Sequence, residues 1–229
     1  WLCQRKHREF TRRSRTATSS PLRFSGSGKG QTLLARVFRL SPAINLKGKT
    51  MFNILDYGAR GDGQSNDGAA IQRAIDACHS AGGGRVVFPA GKVYRSGSLI
   101  VKSNIEFHLE PGAVLQASPD IAETGIRFAA GALSGGKVGD DQPSETLFIT
   151  AEHAENITFS GTGVIDGGGR YFIAHDAGTI YRMKPGRPFT FCLLGCKKVT
   201  FRDVTIRDGA LWTVRLSGCD DVLIYGIRI

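Results

Sequence analysis

The sequence has no uninterrupted run of about 18 apolar residues, so no segment is long enough to be a membrane-spanning helix. Its five cysteines are an odd number, with no Cys-x-x-Cys pair and no Cys/His metal spacing, which argues against a disulfide framework and against a zinc module. The glycine-rich loop Gly58-Ala59-Arg60-Gly61-Asp62-Gly63 lacks the Lys-Ser/Thr of a phosphate-binding loop and the glycine spacing of a dinucleotide fold. No secretory signal is evident either. The longest apolar patch near the start, Leu33 to Leu40, is broken by Arg36 and Arg39, and the Arg12-Arg13 pair is not followed by an apolar segment. The compartment is therefore left unassigned.

An excess of one charge is also missing from most of the chain. The net charge is +10, but residues 1–50 carry twelve Lys/Arg against one Glu, and residues 51–229 carry eighteen Lys/Arg against nineteen Asp/Glu. A nucleic-acid footprint must lie on the folded module. The folded part is neutral, so no nucleic-acid partner is expected. Residues 1–50 read as a basic, disordered leader, with the natural start expected at Met51.

What the chain does have is a sentence written twice. Gly195-Cys196-Lys197-Lys198-Val199-Thr200-Phe201 lies over Gly218-Cys219-Asp220-Asp221-Val222-Leu223-Ile224 without a gap, 23 residues apart. A fixed short period marks a solenoid. Apolar residues alternate within each copy, as Val199 and Phe201 or Val222 and Ile224 do, so the unit is a strand. A second alternating run precedes each copy: Phe189, Phe191, Leu193 and then Trp212, Val214, Leu216. Earlier copies start at Asn156-Ile157 and Asn104-Ile105, with offsets of 42 and 52 that leave room for inserted loops. Coils stacked about 4.8 Å apart in a parallel β-helix fit this pattern. Cys196 and Cys219 fall at equivalent places, as small inward thiols whose parallel side chains are poorly placed for a disulfide.

One helix is expected. Asp67 can cap it, Ile71, Ala74, Ile75 and Cys78 form its apolar stripe, and Gly82-Gly83-Gly84 stops it. Its place is over the open end of the first coil. Residues 119–145 read as one inserted loop, and Gly167 to Arg187 as another, whose Tyr171, Phe172, His175, Tyr181 and Arg182 could grip a sugar acid.

Asp56-Tyr57-Gly58-Ala59-Arg60-Gly61-Asp62-Gly63, the helix from Ala69 to Cys78, Gly82 to Gly91, Leu109-Glu110-Pro111-Gly112-Ala113-Val114-Leu115 and Gly161-Thr162-Gly163-Val164-Ile165-Asp166-Gly167 resemble, in that order, the N-terminal half of polygalacturonase-type glycoside hydrolases, family 28. Arg187-Pro188 and the Trp212-Thr213 coil are similar too, within the wider pectate-lyase-like superfamily. The resemblance implies a right-handed helix, a pectin (galacturonan) substrate and hydrolysis with inversion. It implies no cofactor, no membrane partner and a monomer when full length. Two carboxyl groups would do the work, one protonating the leaving oxygen and one activating water. In that family they stand in Asn-x-Asp and Asp-Asp motifs, helped by Gly-His-Gly and Arg-x-Lys. Asn-x-Asp and Gly-His-Gly do not occur here. Asp140-Asp141, Asp220-Asp221 and Arg182-Met183-Lys184 stand at the wrong place in the coil order, and Asp166 before Gly167-Gly168-Gly169 reads as a turn residue.

The expectation is thus an all-β chain: an incomplete parallel β-helix over residues 51–229, ending before its catalytic coils. Trp212, Arg182 and His175 are the candidate substrate-binding residues, with no catalytic or metal-binding residue among the 229. Rival readings are a polysaccharide lyase on the same fold, often with Ca²⁺, and a non-catalytic glycan-binding rod.

Overall fold

The computed structural model describes residues 43–44, 50–125, 146–178 and 180–229. Most of the expected leader and the larger part of the first insertion, with Asp140-Asp141, lie outside these residues.

Within them the chain is all-β with parallel sheets and one α-helix. Three sheets hold all the strands but those of one two-stranded hairpin. The first joins Thr50–Asn53, Gly84–Phe88, Ile105–Leu109, Glu155–Gly161, Lys197–Arg202 and Asp220–Tyr225, all parallel, and Ala43–Ile44 runs antiparallel beside Thr50–Asn53. The second joins Asp62–Asn66, Val93–Ser96, Val114–Ala117, Val164–Asp166 and Thr205–Arg207. The third joins Leu99–Ile100, Leu147–Glu152, Phe189–Leu194 and Val214–Ser217. The chain meets the third, first and second sheets in that order on each later circuit, and each complete later circuit adds one strand to each of the three.

The register is the one the periodicity predicts: Ile157 pairs with Val199 and Val199 with Val222. On the inward face of the first sheet Phe52, Val86, Phe107, Phe159 and Phe201 fall in one row, all buried. Phe107 and Phe159 lie 5.7 Å apart between ring centres, Phe159 and Phe201 4.8 Å, and Phe191 of the third sheet closes on both Phe159 at 4.9 Å and Phe201 at 5.2 Å. Each such ring contributes about 1.5–3 kcal/mol by leaving water. Ile224 continues the row and is exposed.

The repeated sentence is the corner between the third and first sheets. Left-handed backbone recurs there on successive coils, at His153, Gly195 and Gly218, and again three residues on at Asn156, Lys198 and Asp221. Between the two bends the thiol of Cys196 points back to the carbonyl of Ala151 at 3.5 Å, and that of Cys219 to Leu193 at 3.4 Å. Both thiols are free. The next corner uses Gly161, Asp203 and Gly226 in the same conformation. Gly161 has φ +100°, and a Cβ there would collide with the carbonyl of Leu109, so that rung needs glycine.

Helix α1, Gly68–Ser80, buries Ala70, Ile71, Ala74, Ile75 and Cys78 against the first coil. Asp67 stands at its N-cap position but makes no side-chain cap bond. Instead its carboxylate accepts the backbone N–H groups of Arg60 at 2.7 Å and Gly61 at 3.0 Å, pinning the glycine-rich loop. The expected cap is thus a loop anchor, because the loop amides reach a buried carboxylate that the helix would otherwise claim.

Candidate functional site

The insertion between Val164–Asp166 and Phe189–Leu194 is not a plain loop. A 3₁₀ turn, Gly169–Phe172, leads into an antiparallel pair, Ile173–Asp176 with Tyr181–Met183, irregular between Ile173 and His175. His175 and Arg182 are register partners on this hairpin, and both are exposed. Tyr181 is exposed beside them. Phe172 departs from the sequence expectation: it is buried at the hairpin's root and is closed to a ligand.

The root is tied down by polar contacts. The amide of Lys184 donates to the carbonyl of Phe172 at 2.6 Å, and its ammonium to the carbonyl of Tyr171 at 2.9 Å. Lys184, the last residue of the Arg-x-Lys triplet, is therefore a structural clamp. Arg170 Nε donates to Asp208 at 2.7 Å, and this hydrogen bond, with the charges of Asp208 and Asp166, raises the Arg170 pKa. Asp166 is 1% exposed and accepts the N–H of Gly168, the turn bond its sequence predicts. It also accepts Arg207 Nε at 2.9 Å from the next coil, a partner the sequence reading missed. Laying the coils in register, which puts Asp166 opposite Arg207, was the signal.

Trp212 lies just before the third-sheet strand Val214–Ser217, with its backbone carbonyl accepting the N–H of Thr190. The residue is 54% exposed, so it is no core residue. It tilts against Phe189 at 6.2 Å, and the guanidinium of Arg215 lies 5.3 Å from its centre. An exposed indole next to a cation is chemically suited to the apolar face of a pyranose and to its carboxylate. Arg215 was not singled out from sequence, because a strand residue between Val214 and Leu216 reads only as outward-facing. Among the described residues the structure brings His175 and Arg182 together, while the ring contacts of Trp212 are with Phe189 and Arg215.

Several other ionisable groups are placed by the fold and not by the hairpin or Trp212. Asp220 and Asp221 are both exposed at a corner, Asp220 opposite Lys197 and Asp221 in the left-handed bend. Glu106, 4% exposed on the outer face of the first sheet, is held by Arg85 and Arg202 at 3.0 and 2.9 Å and by Ser160 at 2.9 Å. Burial raises the Cys192 thiol to about 11. No group of three or more His, Cys, Asp or Glu among the described residues could hold a metal ion.

Comparison with known proteins agrees with this architecture. Over 125 residues, 52% of this chain, the sequence is 34% identical to an exo-poly-alpha-D-galacturonosidase of Dickeya chrysanthemi, but the match covers only 20% of that enzyme. Over 62 residues it is 55% identical to the mannuronan C5-epimerase AlgE3 of Azotobacter vinelandii, of which that match covers 3%. The chain thus spans a small part of the length of these relatives. The hyperthermoactive exopolygalacturonase of Thermotoga maritima superposes with a TM-score of 0.63 at 22% identity, over 82% of this chain and 47% of that one, and so shares its fold. Residues 51–182, more than half of the sequence, match the family described as rhamnogalacturonase A/epimerase, pectate lyase-like, and the chain belongs to that family.

Proposed function

We propose that the protein hydrolyses α-linked galacturonan in pectin with inversion, on a right-handed parallel β-helix to which these residues contribute the first coils. In this reading the chain holds substrate. Trp212 stacks on a sugar ring, Arg215 and Arg182 meet uronate carboxylates, and His175 hydrogen-bonds a hydroxyl. The carboxyl pair that inversion requires, about 6.5–9.5 Å apart, comes from coils other than those described, and the described residues alone are inactive. The observation that carries the proposal is the exposed Trp212 ring with Arg215 at 5.3 Å, on a chain whose relatives include a polygalacturonosidase.

Titrating the 229-residue chain with a short oligogalacturonate tests it. Binding is expected, with Trp212→Ala weakening it by about tenfold, the loss of one stacking and cation–π contact. Unchanged affinity in that variant would refute the role given to Trp212.

A second reading is favoured by one observation. The short, high-identity matches are to mannuronan C5-epimerases and, at 50% over 62 residues, to alginate lyase 7 of Azotobacter vinelandii. Those names imply abstraction of a proton beside a uronate carboxylate. A complete protein that acts this way on a uronan would give an epimerised or unsaturated product in place of a hydrolysed one.

A further inference from the structure

The outer face of the first sheet, away from the hairpin and Trp212, carries an open groove of about 690 Å³ lined by Thr50, Gly82 to Gly84, Asn104, Glu106, Asn156, Thr158, Lys198 and Thr200. It is built from two rows running across three successive coils. Asn104, Asn156 and Lys198 form one, each in the left-handed corner conformation. Glu106, Thr158 and Thr200, register partners on neighbouring strands, form the other.

The groove has unspent hydrogen-bonding capacity. Asn156 Nδ2 donates to Asn104 Oδ1 at 2.9 Å, which leaves the Asn104 amide N–H groups and the Asn156 carbonyl oxygen for a ligand. The Thr158 and Thr200 hydroxyls and the Lys198 ammonium make no side-chain hydrogen bond or ion pair among the described residues. Glu106 differs: Arg85, Arg202 and Ser160 satisfy its carboxylate, so it forms a fixed floor and not a repelling charge. The groove therefore offers neutral donors and acceptors at each coil and, at its far end, the Lys198 ammonium, with Asp221 in the same corner position on the next coil.

We propose that this groove is a second glycan-binding site for an acidic oligosaccharide of two to three uronate units lying along the stacking axis. Strands repeat about every 4.8 Å, comparable to the length of one pyranose, so each sugar meets one coil's pair of polar groups. Lys198 receives a carboxylate. Gly82, whose missing Cβ would point into open space, keeps one end clear. That the ligand is a uronan rests on the function proposed above; that a polar site exists here rests on the groove alone.

The test uses the 229-residue chain, trigalacturonate and NMR. The Asn104 and Asn156 side-chain amides report on the groove and the Trp212 indole N–H on the other site. Titration is expected to shift both sets. Lys198→Asn keeps a residue at ease in the left-handed bend, as Asn104 and Asn156 are, and it should weaken the asparagine response about tenfold while leaving the indole response unchanged. Thr200→Trp, which fills the groove, should abolish the asparagine response. Asparagine amides that stay still at millimolar trigalacturonate, or that respond equally in the Lys198→Asn chain, overturn the groove site even if the indole moves. Movement of the asparagines with a still indole would leave the groove standing and count against Trp212. A neutral maltotriose that binds the groove as well as trigalacturonate would overturn the acidic preference.

Discussion

Asp166 and Arg207 face each other across one rung of the second sheet, Arg207 Nε donating to Asp166 Oδ2 at 2.9 Å, with the carboxylate 1% exposed. The same carboxylate turns the backbone at Gly168 and lies 3.9 Å from Arg170, so one buried group ties a coil, the coil after it and the root of the hairpin together.

Asp166→Ala should therefore destabilise the chain by about 1–3 kcal/mol, the cost of stranding the groups it satisfies. Urea denaturation followed by circular dichroism measures this. Asp166→Asn, which keeps an acceptor for Gly168 but gives up the charge facing Arg207, should cost less but still measurably; no loss in Asp166→Asn would contradict the ion-pair account, and a loss equal to that of Asp166→Ala would contradict the role of the Gly168 bond.

Phe159 touches Phe107, Phe191 and Phe201 inside the coils. Phe159→Ala should cost about 3–5 kcal/mol, whereas Ile224→Ala, one row-mate further but exposed, should cost little. Thermal melts of the two variants separate a stacked core from a generic apolar preference.

Much of this was legible in the sequence. The 23-residue repeat gave the coil, its corner and the register of Val199 on Val222, because a stacked rung repeats its backbone conformation and its inward side chain together. The helix and its stripe were equally plain. Less legible were contacts that join residues far apart through the stack. Asp67 looks like a cap in a linear reading, yet the loop amides of Arg60 and Gly61 come close only once the first coil closes. Arg207 and Asp208 became visible as partners of Asp166 and Arg170 only when neighbouring coils were aligned, whereas Arg215, on the same coil as Trp212, reads in sequence only as an outward strand residue. The hairpin carrying His175 and Arg182 is too short and too polar for alternation to reveal.

Asp67→Ala gives a direct check on that difference. It should lower stability by about 1–3 kcal/mol, because two loop amides lose their acceptor, while the helical signal of the native state stays the same. A selective loss of helix signal would restore the capping role.

Acid sensitivity should trace in part to His108. Burial, then the positive charge of Arg85, lowers its pKa, and its Nδ1 lies 2.8 Å from Ser160 Oγ. The folded state therefore favours the neutral ring. Its contribution is fully present above the unfolded value of about 6.5 and is lost as pH falls through the lower folded value. The urea midpoint of the parent chain should drop more between about pH 7.5 and pH 5 than that of His108→Gln. Parallel pH profiles would contradict this.

The central claim is hydrolysis of a uronan, and the products of the complete protein on polygalacturonate test it most directly. The account predicts new reducing ends that appear first in the inverted anomeric form, followed by proton NMR during the first turnovers. An ultraviolet-absorbing unsaturated product, an epimerised chain of unchanged length, or a polymer left intact would contradict it.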